Sequence, residues 1–399
     1  MRHAGLEDRA RAMGSALFLL AAVVWSGQNV TPDLIMAALA VAAVAEMTAK
    51  DWTMHRYRPW WCGLFWGLAY LAKPVALPWA GATLLLLAFQ RRRREGEPRR
   101  TGLALAVTLA VALPWITVLS VKYGRPTFST SGPIAHALVG PGDVPRYHPP
   151  LSTLHRPTEG RVAGWEDPAE FEYRPWSPFA SRSNLRHQLR LVTGNAATAF
   201  FLLTTISLAW PLVFRRANLE SGWPMLVPLG LLAAIYLPVY LAVTEQRYFY
   251  AALPLLWAVL AGRQTGRAVV GWRRVALLLC FLLPLLAVAI RFQISERRAG
   301  RVAYELAQGI RMEGKSGPVA GSGLLPGGRT GLYLALFLGE PWHGDDPEAT
   351  AGEFVNSGAR WLVFKASDPR LAELESLANL ERLSPEVLPE PDLAVFHVR

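Results

Sequence analysis

The 399-residue chain is 52% hydrophobic, holds 15 tryptophans and carries a formal charge of +11 at pH 7. So large an apolar fraction exceeds what one water-soluble core of this length needs, and the surplus must face lipid. The arginines sit in short tracts between apolar stretches, a topological pattern that argues against a nucleic-acid partner. Cys62 and Cys280 are the only cysteines and both lie in apolar segments, so they point to no disulfide framework or metal site.

The polar start, residues 1–12, leads into an apolar stretch with no cleavage site, so the first span is read as a retained anchor. Apolar stretches that suit about 30 Å of hydrocarbon follow at 13–27, 30–48, 101–121, 194–214, 223–243, 247–262 and 272–291. Residues 60–89 are too long for one untilted helix and are interrupted by Lys73-Pro74. A proline inside a helix removes a hydrogen bond, and a lysine at mid-bilayer costs about 2.5–3.5 kcal/mol. Two short helices meeting at a polar elbow relieve both problems.

Reading 60–89 as a hairpin gives about nine spans and gathers the basic residues on one side. That side receives Arg2, Arg9, Arg11; Lys50, Arg56, Arg58; Arg91 to Arg94, Arg99, Arg100; Arg215, Arg216; and Arg263, Arg267, Arg273, Arg274. The short connections of the other side hold Lys73 and Arg247. The N-terminus is therefore expected in the cytoplasm, with Asn29 to Asp33, the Lys73 elbow, Thr244 to Tyr248, the loop 122–191 and residues 292–399 outside. The domain expectation is a multi-span membrane domain over 1–291 and a soluble extracytoplasmic α/β domain over 292–399. The fold class is thus an all-α polytopic membrane protein with a small α/β C-terminal domain.

The outer loop is rich in Pro, His, Gly and aromatics (Tyr123, Tyr147, Trp165, Tyr173, Trp176), which favours an ordered lid over a disordered linker. In the C-terminal part the patterning predicts an amphipathic helix at 296–313, strands near 318–320, 361–364 and 393–398, and helices at 329–338, 347–357 and 370–378. Gly321-Ser322-Gly323 is not a dinucleotide fingerprint, because Pro326 stands where the third glycine belongs.

Chemistry-bearing residues collect on the outer side. Asp33 follows Pro32 at a helix start, where it or Thr31 also suits an N-cap. Lys73 suits a phosphate, against simple snorkelling to the interface. Glu245, Arg247, Tyr248 and Tyr250 lie at another outer span end, where aromatics also form an ordinary interfacial belt. Glu166 and Asp167, beside Trp165, are acid or base candidates, although carboxylates on a loop are commonly solvated. His136, His148, His155 and His187 lack metal-ligand spacing, and no metal site is expected. No cofactor is indicated, and nothing in the spacing calls for a divalent cation.

Three segments together resemble a known group. They are Asn29-Val-Thr-Pro-Asp33 opening a span, Gly63-Leu-Phe-Trp-Gly67 running through Tyr70 to Lys73-Pro74, and Glu245-Gln-Arg247-Tyr248-Phe-Tyr250 leading into a Pro-interrupted span. In that order they are similar to the polytopic C-fold glycosyltransferases, the protein O-mannosyltransferase and lipid A aminoarabinose transferase group. The resemblance covers about residues 13–291. It implies transfer of a sugar from a polyprenyl-phosphate donor to an extracytoplasmic acceptor by a multi-pass inner-membrane protein in contact with membrane lipid. It assigns phosphate binding to Lys73 and Arg247 and site architecture to Asp33. It places Trp165, Trp176, Glu245, Tyr248 and Tyr250 among the substrate-binding candidates, and Asp33, Glu166 and Asp167 among the catalytic ones. Members of the group carry a key acidic residue in their first outer loop, whereas this chain starts where their third span would lie. The expectation is therefore a transferase truncated at its N-terminus. The alternative is a non-catalytic membrane protein, a lipid-phosphate carrier or an assembly subunit, that retains the fold. The donor sugar, the acceptor and the oligomeric state are left open.

Overall fold

The computed structural model describes residues 8–28, 32–49, 51–91, 96–141, 154, 156–157, 159, 176–202, 223–238, 248, 250–262, 271–321, 330–346, 349–384 and 388–399. They fall into two compact units: Met1–His136 with Ser177–Ala289, and Ala137–Trp176 with Ile290–Arg399.

The first unit is helical. It contains α1 (Asp8–Gln28), α2 (Asp33–Thr48), α3 (Arg58–Ala72), α4 (Ala76–Gln90), α5 (Glu97–Tyr123), α6 (begun at Ser131 and ended at Leu138), α7 (Arg182–Leu202), α8 (Trp223–Tyr236), α9 (Ala252–Gly262) and the start of α10 (Gly271–Met312). The expected break falls where proline and charge demand it: α3 stops at Ala72, Lys73 is extended at φ −153° and ψ 123°, and α4 starts after Val75. Helix α3 lies between α2 and α5, α4 packs on α8, and α9 packs on both α8 and α1. The core is filled by Trp66, Trp79, Tyr70, Met36, Leu84 and Leu87.

The glycines of α3 have a packing purpose. A Cβ on Gly63 would lie 2.4 Å from the Ala104 carbonyl oxygen, and one on Gly67 would lie 2.5 Å from Val111 Cβ. Helices α3 and α5 thus approach to backbone contact through a small-xxx-small stripe, as membrane helices do. Thr108 Oγ donates to the Gly63 carbonyl at 3.2 Å and to Ala104 at 2.9 Å, which stitches the seam.

Among the described residues, α5 is the one helix that is both long and apolar enough to cross a bilayer, and α1, α4 and α8 contain shorter apolar helices. Helix α5 turns Leu113, Trp115 and Val118 outward, and α1 and α4 expose Leu19, Val23, Leu85 and Phe89. Faces of this kind suit hydrocarbon and not water.

Two boundaries differ from expectation. Helix α7 starts at Arg182, not near 194, because Ser181 Oγ caps it by accepting from the Asn184 amide at 3.1 Å. Hydropathy hides those first turns, since they are polar yet good helix formers. Helix α10 runs unbroken for 42 residues across the expected gap at 291–296. Arg291 to Ser295 change the polarity of the chain but include no helix breaker.

The second unit is a four-stranded sheet ordered β1 (Val319–Gly321), β2 (Trp361–Lys365), β4 (Leu393–Val398), β3 (Leu380–Arg382), in which β1 and β2 are parallel and the other pairs antiparallel. One face packs on the Val302, Leu306 and Ile310 stripe of α10 and on Leu334 of α11 (Thr330–Leu338). The other packs on Phe354 of α12 (Ala351–Asn356) and on Leu371 and Leu374 of α13 (Leu371–Ser376), with Leu154 from the long loop joining this second core. Arg370 is held between the Phe354 and Phe364 rings, 4.9 and 5.0 Å from their centroids. Burial alone would raise the Asp368 carboxyl, but hydrogen bonds from Arg370 outweigh it and hold the group below the usual range.

Candidate functional site

The elbow between α3 and α4 carries a buried ion pair. Lys73 Nζ donates to Asp33 Oδ1, with the two side chains 20% and 2% exposed. The α2 cap explains why Asp33 is available. Its N-cap position is Pro32, no side chain caps the helix, and Asp33 sits one residue inside it. The capping role expected for Asp33 is therefore replaced by a tertiary one, in which its carboxylate reaches across to the elbow. Next to the positive end of the α2 dipole, a carboxylate is favoured even so.

Aromatic faces close the pocket around the ammonium. Lys73 Nζ lies 4.4 Å from the Tyr248 ring centroid and 6.0 Å from that of Tyr236, and the two rings stack at 5.0 Å. Both distances fall in the cation–π range. Tyr250 stacks on Trp25 of α1 at 3.9 Å. One turn before Lys73, Tyr70 Oη donates to the Phe128 carbonyl at 2.9 Å, so the segment after α5 is pinned at this same end of α3. Helix α8, which carries Tyr236, is fixed by the indole N–H of Trp79 on the Pro228 carbonyl at 2.8 Å.

Of the residues singled out from sequence, Asp33, Lys73, Tyr248 and Tyr250 fall in the first unit, and the structure brings Asp33, Lys73 and Tyr248 into direct contact. Trp176 is partly buried and belongs to the second unit. Trp165, Glu166, Asp167, Glu245 and Arg247 lie outside the described residues. Sequence reading missed Tyr236 and Trp25. Trp25 lies near the end of the 13–27 stretch, where an aromatic looks like any interfacial residue, and Tyr236 lies inside the 223–243 stretch.

A second charged cluster marks the far end of α2. Arg58 bonds Glu46 through Nη1 at 2.7 Å and Asp51 through Nη2 at 2.9 Å. Arg91 donates to the Met47 carbonyl at 2.8 Å, and Arg100 to those of Trp52 and His55 at 3.1 and 2.9 Å. These arginines staple residues 51–57 and satisfy carbonyls at and beyond the end of α2. Arg58 engages its two carboxylates through Nη1 and Nη2, whereas an ammonium has three rotatable donors and binds phosphate as a point charge.

No family model matches the chain, and no curated protein matches it in sequence. Two solved structures of ArnT from Cupriavidus metallidurans do match, one in the apo state and one bound to undecaprenyl phosphate. Both are 16% identical to this chain, with TM-scores of 0.50 and 0.51, and the alignments cover 96% of this chain and 78% of theirs. At this identity the likeness is one of fold: the chain shares the mostly helical fold of these ArnT structures.

Proposed function

We propose that the protein is a membrane glycosyltransferase that uses a polyprenyl-phosphate sugar, with the donor phosphate held at Lys73. The observation that carries this reading is the Lys73 ammonium, fixed by buried Asp33 and faced by Tyr248 and Tyr236, in a fold shared with a protein that binds undecaprenyl phosphate. A lysine ammonium binds phosphate as a point charge through charge-assisted hydrogen bonds. Arg247, one residue before Tyr248, supplies a second positive charge in this reading, and Glu245, Tyr250, Trp165 and Trp176 contribute to substrate binding. The polyprenyl chain lies along lipid-facing helices.

In the reaction, the bond between the anomeric carbon and the phosphate oxygen breaks and polyprenyl phosphate departs with the electron pair. The acceptor hydroxyl bonds to that carbon and gives its proton to a carboxylate. Asp33 is the candidate that stands at the pocket, with Glu166 and Asp167 as the other two.

The test is turnover by the purified protein in lipid nanodiscs with a pool of polyprenyl-phosphate sugars. Turnover that Asp33→Asn and Lys73→Ala both abolish, with normal insertion, supports the reading. Lipid-phosphate binding without turnover favours a carrier, and no binding refutes the proposal. The accompanying topology puts the N-terminus in the cytoplasm and the Lys73 end outside. Cysteine probes at Gly140 and Ser367 should then label in intact cells, and one at Gly96 only after permeabilisation.

A further inference from the structure

We propose that Asn195 and Gln188 are positioning residues that set the aromatic wall of the Lys73 pocket through the carboxyl end of α8, an inference that rests on the phosphate-binding reading of Lys73. Helix α8 ends at Tyr236, and Pro238 can neither continue it nor donate an N–H. The Leu237 and Pro238 carbonyls thus lie beyond the last helical turn and need donors from elsewhere. Where water is excluded, such carbonyls must be satisfied by protein. Helix α7 supplies both donors: Asn195 Nδ2 bonds the Leu237 carbonyl at 2.5 Å, and Gln188 Nε2 bonds that of Pro238 at 2.7 Å. Residues seven apart share one helix face, so two amides on one side of α7 engage two successive carbonyls. Asn195 is fully buried, and no lone polar residue would be kept there without a partner.

The wall follows directly. Tyr236 immediately precedes Leu237, is 3% exposed and stacks on Tyr248, and both rings face the Lys73 ammonium. A shift of the α8 end therefore moves the ring pair against the charge.

The test measures undecaprenyl phosphate binding in nanodiscs for the full chain, with Lys73→Ala as reference. Asn195→Ala should weaken binding about tenfold, the effect expected for one buried carbonyl left without its donor. Asn195→Ser, which restores a hydroxyl donor, should recover part of the loss. In a Tyr236→Ala background Asn195→Ala should have little further effect, because an effect that passes through one wall is not additive. If Asn195→Ala fails to insert, Gln188→Met and its cycle with Tyr236→Ala decide. Wild-type binding by these α7 variants while Lys73→Ala is impaired overturns this inference and leaves the phosphate reading standing. Full additivity with Tyr236→Ala also overturns it, and wild-type binding by Lys73→Ala overturns both readings.

Discussion

At one end of α2 the buried Asp33 carboxylate meets a lysine, and at the other Glu46 meets an arginine. The two pairs have different surroundings. Arg58 spreads its guanidinium over two partly exposed carboxylates, 24% and 32% exposed, while neighbouring arginines tie down the turn beside it. Lys73 faces a carboxylate that is 2% exposed, and its other neighbours include tyrosine rings. A planar fork that engages two carboxylates acts as a staple, whereas a compact ammonium binds phosphate as a point charge. Both ends read alike as charge in the sequence, and only their partners separate structure from site.

The largest expected effect comes from breaking the Lys73 end. Lys73→Met alone leaves Asp33 buried without its counter-charge, a loss of about 3–5 kcal/mol. Combined with Asp33→Asn it should regain most of that stability in thermal unfolding while lipid-phosphate binding stays lost. Binding by the double variant at wild-type strength would make the pair purely structural.

Helix α3 joins the two ends, so loosening its seam should affect both. Gly67→Ala pushes a methyl into Val111 and should cost about 1–3 kcal/mol by the same measurement. Gly102→Ala on α5, where a Cβ meets nothing within 4 Å, should be neutral or slightly stabilising. Equal effects of the two would remove the case for close α3–α5 packing.

Exchanging the cations sharpens the contrast. Arg58→Lys should cost about 1 kcal/mol of stability through loss of the fork, with phosphate binding unchanged. Lys73→Arg should instead reduce binding several-fold with little change in unfolding. The reverse pattern would exchange the assignments of the two ends.

The smallest effect is one of pH. The hydrogen bond from Arg58 holds the Asp51 carboxyl below its ordinary value of 3.8. The folded state therefore binds fewer protons than the unfolded one near that pH. The contribution is present above about pH 3.8 and fades as pH falls through the depressed folded value. The protection of the amides of residues 51–57 against hydrogen exchange, relative to the unstructured rate at each pH, should be steady down to pH 4 and fall below it. A fall in protection between pH 6 and 5 would show that Asp51 is not what holds the turn.

Much of this was legible in the sequence because local rules decide it. A charge set beside a proline at 73–74 interrupts the helix, whereas Pro114 and Pro228 stand inside α5 and α8. Short continuous apolar runs gave β2 and β4, which are buried on both faces, and the 302–310 stripe gave the end of α10. The edge strand β3, three residues long and mostly exposed, has too little pattern to be seen. The Gly63 and Gly67 pair was visible as glycines, but its purpose as a seam needed the facing α5.

The sequence by itself determined which residues are apolar, where helices must stop and which polar residues are costly to bury. Tertiary structure alone decided who their partners are. Asp33 and Lys73 are 40 positions apart, and local spacing allows Asp33 a cap and Lys73 a snorkel equally well. Only the packing of α2 against α3 brings the carboxylate and ammonium together, where leaving the buried Asp33 alone costs more than pairing it. Tyr236 becomes part of that pocket for the same reason, since Asn195 and Gln188 on another helix fix where α8 ends.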